Sequence, residues 1–123
     1  MKTLLTLFIW AALAIAAYGQ APVRYEYMQI SAIESVVPGG LGRSRLISTS
    51  KDGQMMEKEL LNFFSMVGIN FGNVQNNDRV IATRLNELAE EGWDLYTVNS
   101  GVYGPEGKTG IFITRYVFRR PAK

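Results

Sequence analysis

Asp78 to Val98, DRVIATRLNELAEEGWDLYTV, holds an amphipathic helix, a glycine stop and a strand that opens on tryptophan. Ile81, Leu85 and Leu88 recur at spacings of four and three, with Ala82 and Ala89 beside them, so one helical face carries a narrow apolar stripe. Arg84, Glu87, Glu90 and Glu91 fall on the opposite side. Asn76, Asn77 or Asp78 is expected to cap the first turn by accepting from a free backbone N–H. Gly92 follows the last periodic position, where a left-handed residue commonly closes a helix. Glu90 and Glu91 oppose the helix dipole at that end, so the stop rests on glycine and packing rather than charge. Trp93 then starts a strand, with Leu95 and Val98 as expected core residues.

Upstream, Val23 to Val37 reads as an extended strand. Tyr25, Tyr27 and Ile33 share one parity, Met28 and Ile30 the other. Apolar groups on both faces predict a central strand. Pro38-Gly39-Gly40-Leu41-Gly42 reads as a turn. Arg43 to Ser50 returns as a second strand, and Asp52-Gly53 marks a hairpin into a third, Met55 to Leu60. Helical spacing of Met56, Leu60, Phe63 or Phe64 and Val67 competes there, so Leu60 to Val67 is open between strand and short helix. Gly68 to Asn77 reads as loop, with Ile69, Phe71 and Val74 tucked onto the core. Downstream, Ser100 to Gly110 reads as a glycine-rich connection. Ile111 to Arg120 closes the fold as a strand with faces Ile111/Ile113/Val117 and Phe112/Tyr116/Phe118, hairpinned to the Trp93 strand. The expected class is α+β: an antiparallel sheet of four to five strands with one main helix packed on one face.

Three short motifs carry a family resemblance. Glu91-Gly92-Trp93-Asp94-Leu95 follows a leucine-bearing helix, Tyr25-Glu26-Tyr27 opens the first strand, and Tyr116 to Pro121 (YVFRRP) closes the last. In that order they resemble the DUF4177-like small domains. The long stretch between Ile30 and Asn77 departs from the shortest members of that family. The resemblance implies a small α+β domain and no agreed activity, so it supplies no catalytic residues.

Met1 to Gly19 is a separate object. Lys2 gives a positive start, Leu4 to Ala17 is apolar or small apart from Thr6, and Ala17-Tyr18-Gly19 offers small residues at the cleavage positions. A secretory signal peptide cut before Gln20 is expected, leaving one domain, 20–123, in the periplasm or the medium. The alternative is a retained membrane anchor, for which the apolar run falls short of the roughly 20 residues a spanning helix needs; no later apolar run reaches that length, so no stable membrane insertion is expected after cleavage. The chain has no cysteine, so neither a disulfide nor a cysteine-linked lipid is available. Removing Lys2 from thirteen basic residues leaves twelve against eleven acidic ones, a balance that suggests no nucleic-acid partner.

Chemistry is sparse. There is no histidine, which removes the usual general base and the usual zinc ligand. Gly107-Lys108-Thr109 lacks the upstream glycine of a phosphate loop and precedes a β pattern, so it reads as a hairpin turn. The carboxylates show no calcium-loop spacing. The expectation is no cofactor, no metal and no enzyme. An unusual hydrolase would need a lysine or carboxylate paired with a serine. Two surfaces stand out instead. Leu60 to Val74, LLNFFSMVGINFGNV, is uncharged and carries Phe63, Phe64, Met66, Ile69 and Phe71, a candidate surface for a protein partner or a homo-oligomer. Arg43 and Arg45, beside the Pro38–Gly42 glycines, form a candidate anion loop. The expected function is non-catalytic protein interaction or self-association, through a sheet edge or Leu60–Val74. Small-ligand or anion binding at the Pro38–Arg45 or Ser100–Gly110 loop is the alternative.

Overall fold

The computed structural model describes residues 22–36, 43–49, 52–65, 68–104 and 110–122. The expected leader, the Pro38–Gly42 turn and Gly107-Lys108-Thr109 lie outside them. Among the described residues seven strands and one helix follow in order: β1 Tyr25–Val36, β2 Arg45–Thr49, β3 Met55–Glu59, β4 Phe64–Ser65, β5 Gly68–Ile69, α1 Phe71–Glu90, β6 Asp94–Tyr103 and β7 Gly110–Pro121. Five of the strands form one antiparallel sheet ordered β3-β2-β1-β7-β6; β4 and β5 make a separate two-stranded hairpin. The fold is the expected α+β class, and β1 is central, as its two apolar faces predict. It pairs along all twelve residues with β7.

Side chains directly paired across an antiparallel ladder share a face. One face therefore carries Met28, Ile30 and Ala32 of β1, Tyr116 and Phe118 of β7, and Leu46 and Ser48 of β2. The helix packs on that face. Ile81 and Leu88 meet Ile30, Ala32, Leu46, Leu60, Trp93 and Phe118 in one buried core, with Leu85 partly buried against it. Complete burial of an isoleucine or leucine is worth about 1.5–3 kcal/mol, and Ile30 and Leu88 are both at 0% exposure.

The helix stop is as expected. Gly92 has φ +84, its N–H donates to the Ala89 carbonyl at 3.0 Å, and the Trp93 N–H donates to the Leu88 carbonyl at 3.0 Å. These two bonds make a Schellman closure, with Trp93 and Leu88 packed together inside.

The helix start is not as expected. Phe71 to Asn77, read as loop, forms the first two turns, and the cap is Asn70, whose Oδ1 accepts from the Asn73 N–H at 3.2 Å. Gly72 and three asparagines make those turns intrinsically poor helix, which hid them in the sequence. Tertiary bonds offset that cost. Asn73 Nδ2 donates to the Asn62 carbonyl at 2.7 Å. Asn77, at 0% exposure, accepts from the Leu61 N–H at 2.7 Å and donates to the Leu61 carbonyl at 2.8 Å. Asn77 thus fastens the chain leaving β3 to the middle of the helix rather than capping it.

Other expectations are corrected. Arg84 is buried, not on the open side: the inward stripe is Asn77, Ile81, Arg84, Leu88. Its guanidinium reaches Glu87 at 3.0 Å, Glu91 at 3.5 Å and the Ser48 hydroxyl at 3.4 Å. Leu60 to Val67, left open between strand and short helix, is decided where it is described: Leu60 to Phe63 is not helical, and Phe64–Ser65 is strand. Ser100 to Tyr103 is strand rather than connection. Leu95 and Val98 are not core but 52% and 46% exposed. Geometry explains this last point. Five strands about 4.8 Å apart span roughly 19 Å, whereas one helix is about 10 Å across. The helix sits over β1 and its neighbours, and β6 is left uncovered.

Candidate functional site

The three motifs that carry the family resemblance meet at one corner. Arg120 Nε donates to Glu26 at 3.2 Å and Nη1 to the Glu91 carbonyl at 3.2 Å, while its guanidinium lies 4.1 Å from the Trp93 ring centre. One arginine thus joins the first strand, the helix end and the last strand. On the opposite face Arg119 stands between Tyr25 and Tyr96, 4.5 and 4.3 Å from their ring centres, and Tyr27 meets Tyr96 edge-on. Glu26, Arg119 and Arg120 each face another part of the same chain. These residues hold the fold together rather than await a ligand, since cation–π and charge-assisted bonds of this kind stabilise folded chains.

The candidate partner surface divides. Phe63 is half-buried, its ring 6.1 Å from that of Phe112. Ile69 and Phe71, expected to tuck onto the core, are 57% and 71% exposed. Met66 and the Phe64 side chain lie outside the described residues. The candidate anion loop divides too. Arg45 pairs with Glu57 at 2.6 Å, and the open cleft of about 270 Å³ that it shares with Arg43 is also lined by Glu57 and Glu59. Two carboxylates beside two guanidiniums leave little positive field for an anion.

A polar cluster sits on the helix face beyond these. Glu34 accepts from Asn77 Nδ2 at 3.2 Å. Burial holds its carboxyl above the usual glutamate range; the Asn77 bond opposes that shift and Asp78 adds to it. Burial also raises the Tyr116 phenol, with Glu34 and Asp78 contributing. Among the described residues no group of three or more acidic side chains stands together as a metal site.

The sequence names a sheet edge as a docking surface without saying which edge; the strongest feature is the edge strand β6. β6 is the last strand of the sheet, ten residues long, and every one of them is exposed. Its sequence, DLYTVNSGVY, has one charge, Asp94, at its start. A bulge between Leu95 and Thr97 shifts the register there, and from Thr97 to Tyr103 the ladder with β7 is regular. On the helix face Val98 and Val102 are 46% and 68% exposed, and Val102 pairs with Phe112, the residue against Phe63. Among the described residues no strand pairs with the outer side of β6, and Phe63 of the uncharged aromatic segment joins Phe112, Val102 and Val98 in one apolar strip leading to it. On the other face Gly101 leaves a gap, and a shallow groove of about 300 Å³ runs past Asn99, Tyr103, Ile113 and Arg115. The signal available in sequence was the near absence of charge from Leu95 to Tyr103.

Comparison with protein-family models, with curated proteins and with solved structures finds no match. Among the described residues no helix is long and apolar enough to cross a membrane.

Proposed function

We propose that this chain is an exported, non-catalytic recognition module that binds an extended protein segment, or a copy of itself, along the free edge of β6. The observation that carries this reading is the edge itself: ten exposed residues, one charge, and a row of valines and tyrosines. An exposed edge presents unpaired N–H and C=O groups, and an added strand satisfies them while its alternate side chains supply selectivity. On the helix face Val98 and Val102 give the side chains of such a strand apolar neighbours, and Phe112 and Phe63 continue the apolar strip inward across the sheet. Export is supported by the Met1–Gly19 composition. A distant kinship with the DUF4177-like domains is supported by the meeting of the three motifs on Arg120.

The test is selection of displayed extended peptides on the immobilised chain and on Val98→Lys/Val102→Lys. Peptides enriched on the first and lost on the second are expected. Enrichment that ignores the two lysines, or none at all, contradicts the proposal.

A further inference from the structure

We infer that the strand taken up by β6 is β6 of a second copy, paired antiparallel about a two-fold axis at Ser100; this rests on the reading of β6 as the docking edge. An antiparallel pair related by a two-fold axis matches residues equidistant from its centre. Centred on Ser100, the regular segment Thr97–Tyr103 matches itself from end to end. Any other centre either shortens the ladder or draws the bulged residues Leu95 and Tyr96 into it.

The side chains agree with this register. Val98 of each copy meets Val102 of the other on the helix face, so four exposed valines cover one another. On the opposite face Asn99 meets Gly101. A residue added at Gly101 would find no heavy atom within 4 Å of its Cβ, so the gap is open to the partner's asparagine. Thr97 meets Tyr103 at either end, a β-branched residue against an aromatic one, which is a favourable cross-strand pair. No charge lies between Leu95 and Tyr103, so no like charges are brought together. The arrangement is self-complementary without any change of shape. The same faces of the two sheets continue into one another, with both helices on one side, and no β6 edge remains open.

The chain has no cysteine, so single-cysteine variants give unambiguous crosslinks. The exported, purified chain is measured by light scattering over a concentration series, and cysteines are placed one at a time at positions 98 to 102. Residues directly opposite one another in an antiparallel pair have Cα atoms roughly 4.5–5.5 Å apart, within the roughly 4.4–6.8 Å that a disulfide spans. Diagonal neighbours are roughly 7–8 Å apart. The expected result is a dimer in which Ser100→Cys crosslinks to itself. Val98→Cys and Val102→Cys crosslink when mixed and not alone. Val102→Lys is expected to shift the chain to monomer, with the melting temperature that the unsubstituted chain shows when diluted to monomer, which excludes misfolding as the cause. A dimer whose crosslinks peak away from Ser100 overturns the inference. A monomer that still selects peptides through β6 overturns it while leaving the recognition reading intact. A monomer that selects none removes both.

Discussion

The two edges of the sheet are built by opposite rules. β3 is short, five residues reading MMEKE, and alternates charge along its exposed length. Glu57 is tied to Arg45, and Lys58 lies 3.8 Å from Glu87 on the helix. Short length and charge are the devices by which edge strands avoid joining other sheets. β6 is twice as long, nearly uncharged, and apolar on the helix face. The same chain that blunts one edge leaves the other open, so the open edge reads as a surface with a use rather than as neglect. The bulge at Leu95–Thr97 sharpens the contrast: it blunts the first part of β6 and leaves Thr97–Tyr103 regular.

That contrast breaks most severely if the closed side is cut loose. Asn77→Ala removes both bonds to Leu61, which anchor the chain leaving β3. Leaving a partly buried N–H and C=O unpaired is expected to cost about 2–4 kcal/mol, read by denaturant unfolding. The contrast sharpens if the open edge is given the chemistry of the closed one. In Val98→Lys/Val102→Lys lysine faces lysine twice across the proposed axis. Association is expected to weaken about a hundredfold or more, about 2.7 kcal/mol, with folding stability unchanged. The reciprocal change, Glu57→Thr with Lys58→Thr, is expected to raise self-association at β3, detected by light scattering.

Away from both edges, Gly92→Ala is expected to destabilise the fold by about 1–2 kcal/mol without touching association, because the cost lies in a left-handed φ alone. The smallest effect is at Glu34. Its carboxyl binds a proton more tightly folded than unfolded, so this residue favours folding below the unfolded carboxyl range and loses that contribution as pH rises through the folded value. Glu34→Gln is therefore expected to be the more stable form at neutral pH, and the advantage to vanish on acidification. Glu34 is only partly buried, which keeps the difference below about 1 kcal/mol. Melting curves of both forms across the acid range read it out.

Much of the fold was legible because periodicity and punctuation agree. Ile81, Leu85 and Leu88 repeat at helical spacing, Gly92 stops the helix, and Trp93 is buried at 3% exposure. The central place of β1 followed from its two apolar faces. What was hidden depended on partners distant in sequence. Asn77 and Arg84 count as polar by pattern, yet they are buried, with hydrogen bonds to Leu61 and Ser48. The first two helical turns rest on bonds to Asn62 and Leu61, which no local propensity reveals. Leu95 and Val98 read as core because alternation says which residues share a face, not whether a helix is wide enough to cover it. A sheet edge was expected as a docking surface, but that β6 forms it was hidden for the same reason. Leu60–Val74 drew attention by its aromatic content, but only the pairing of Val102 with Phe112 joins that segment to β6.

Residue-level amide hydrogen exchange, run on dilute and on concentrated chain, bears most directly on the open edge. Amides within Thr97–Tyr103 are expected to gain protection as concentration rises while those of Met55–Glu59 exchange at the same rate throughout. Equal behaviour of the two edges at every concentration would contradict the pairing of β6 with a second copy.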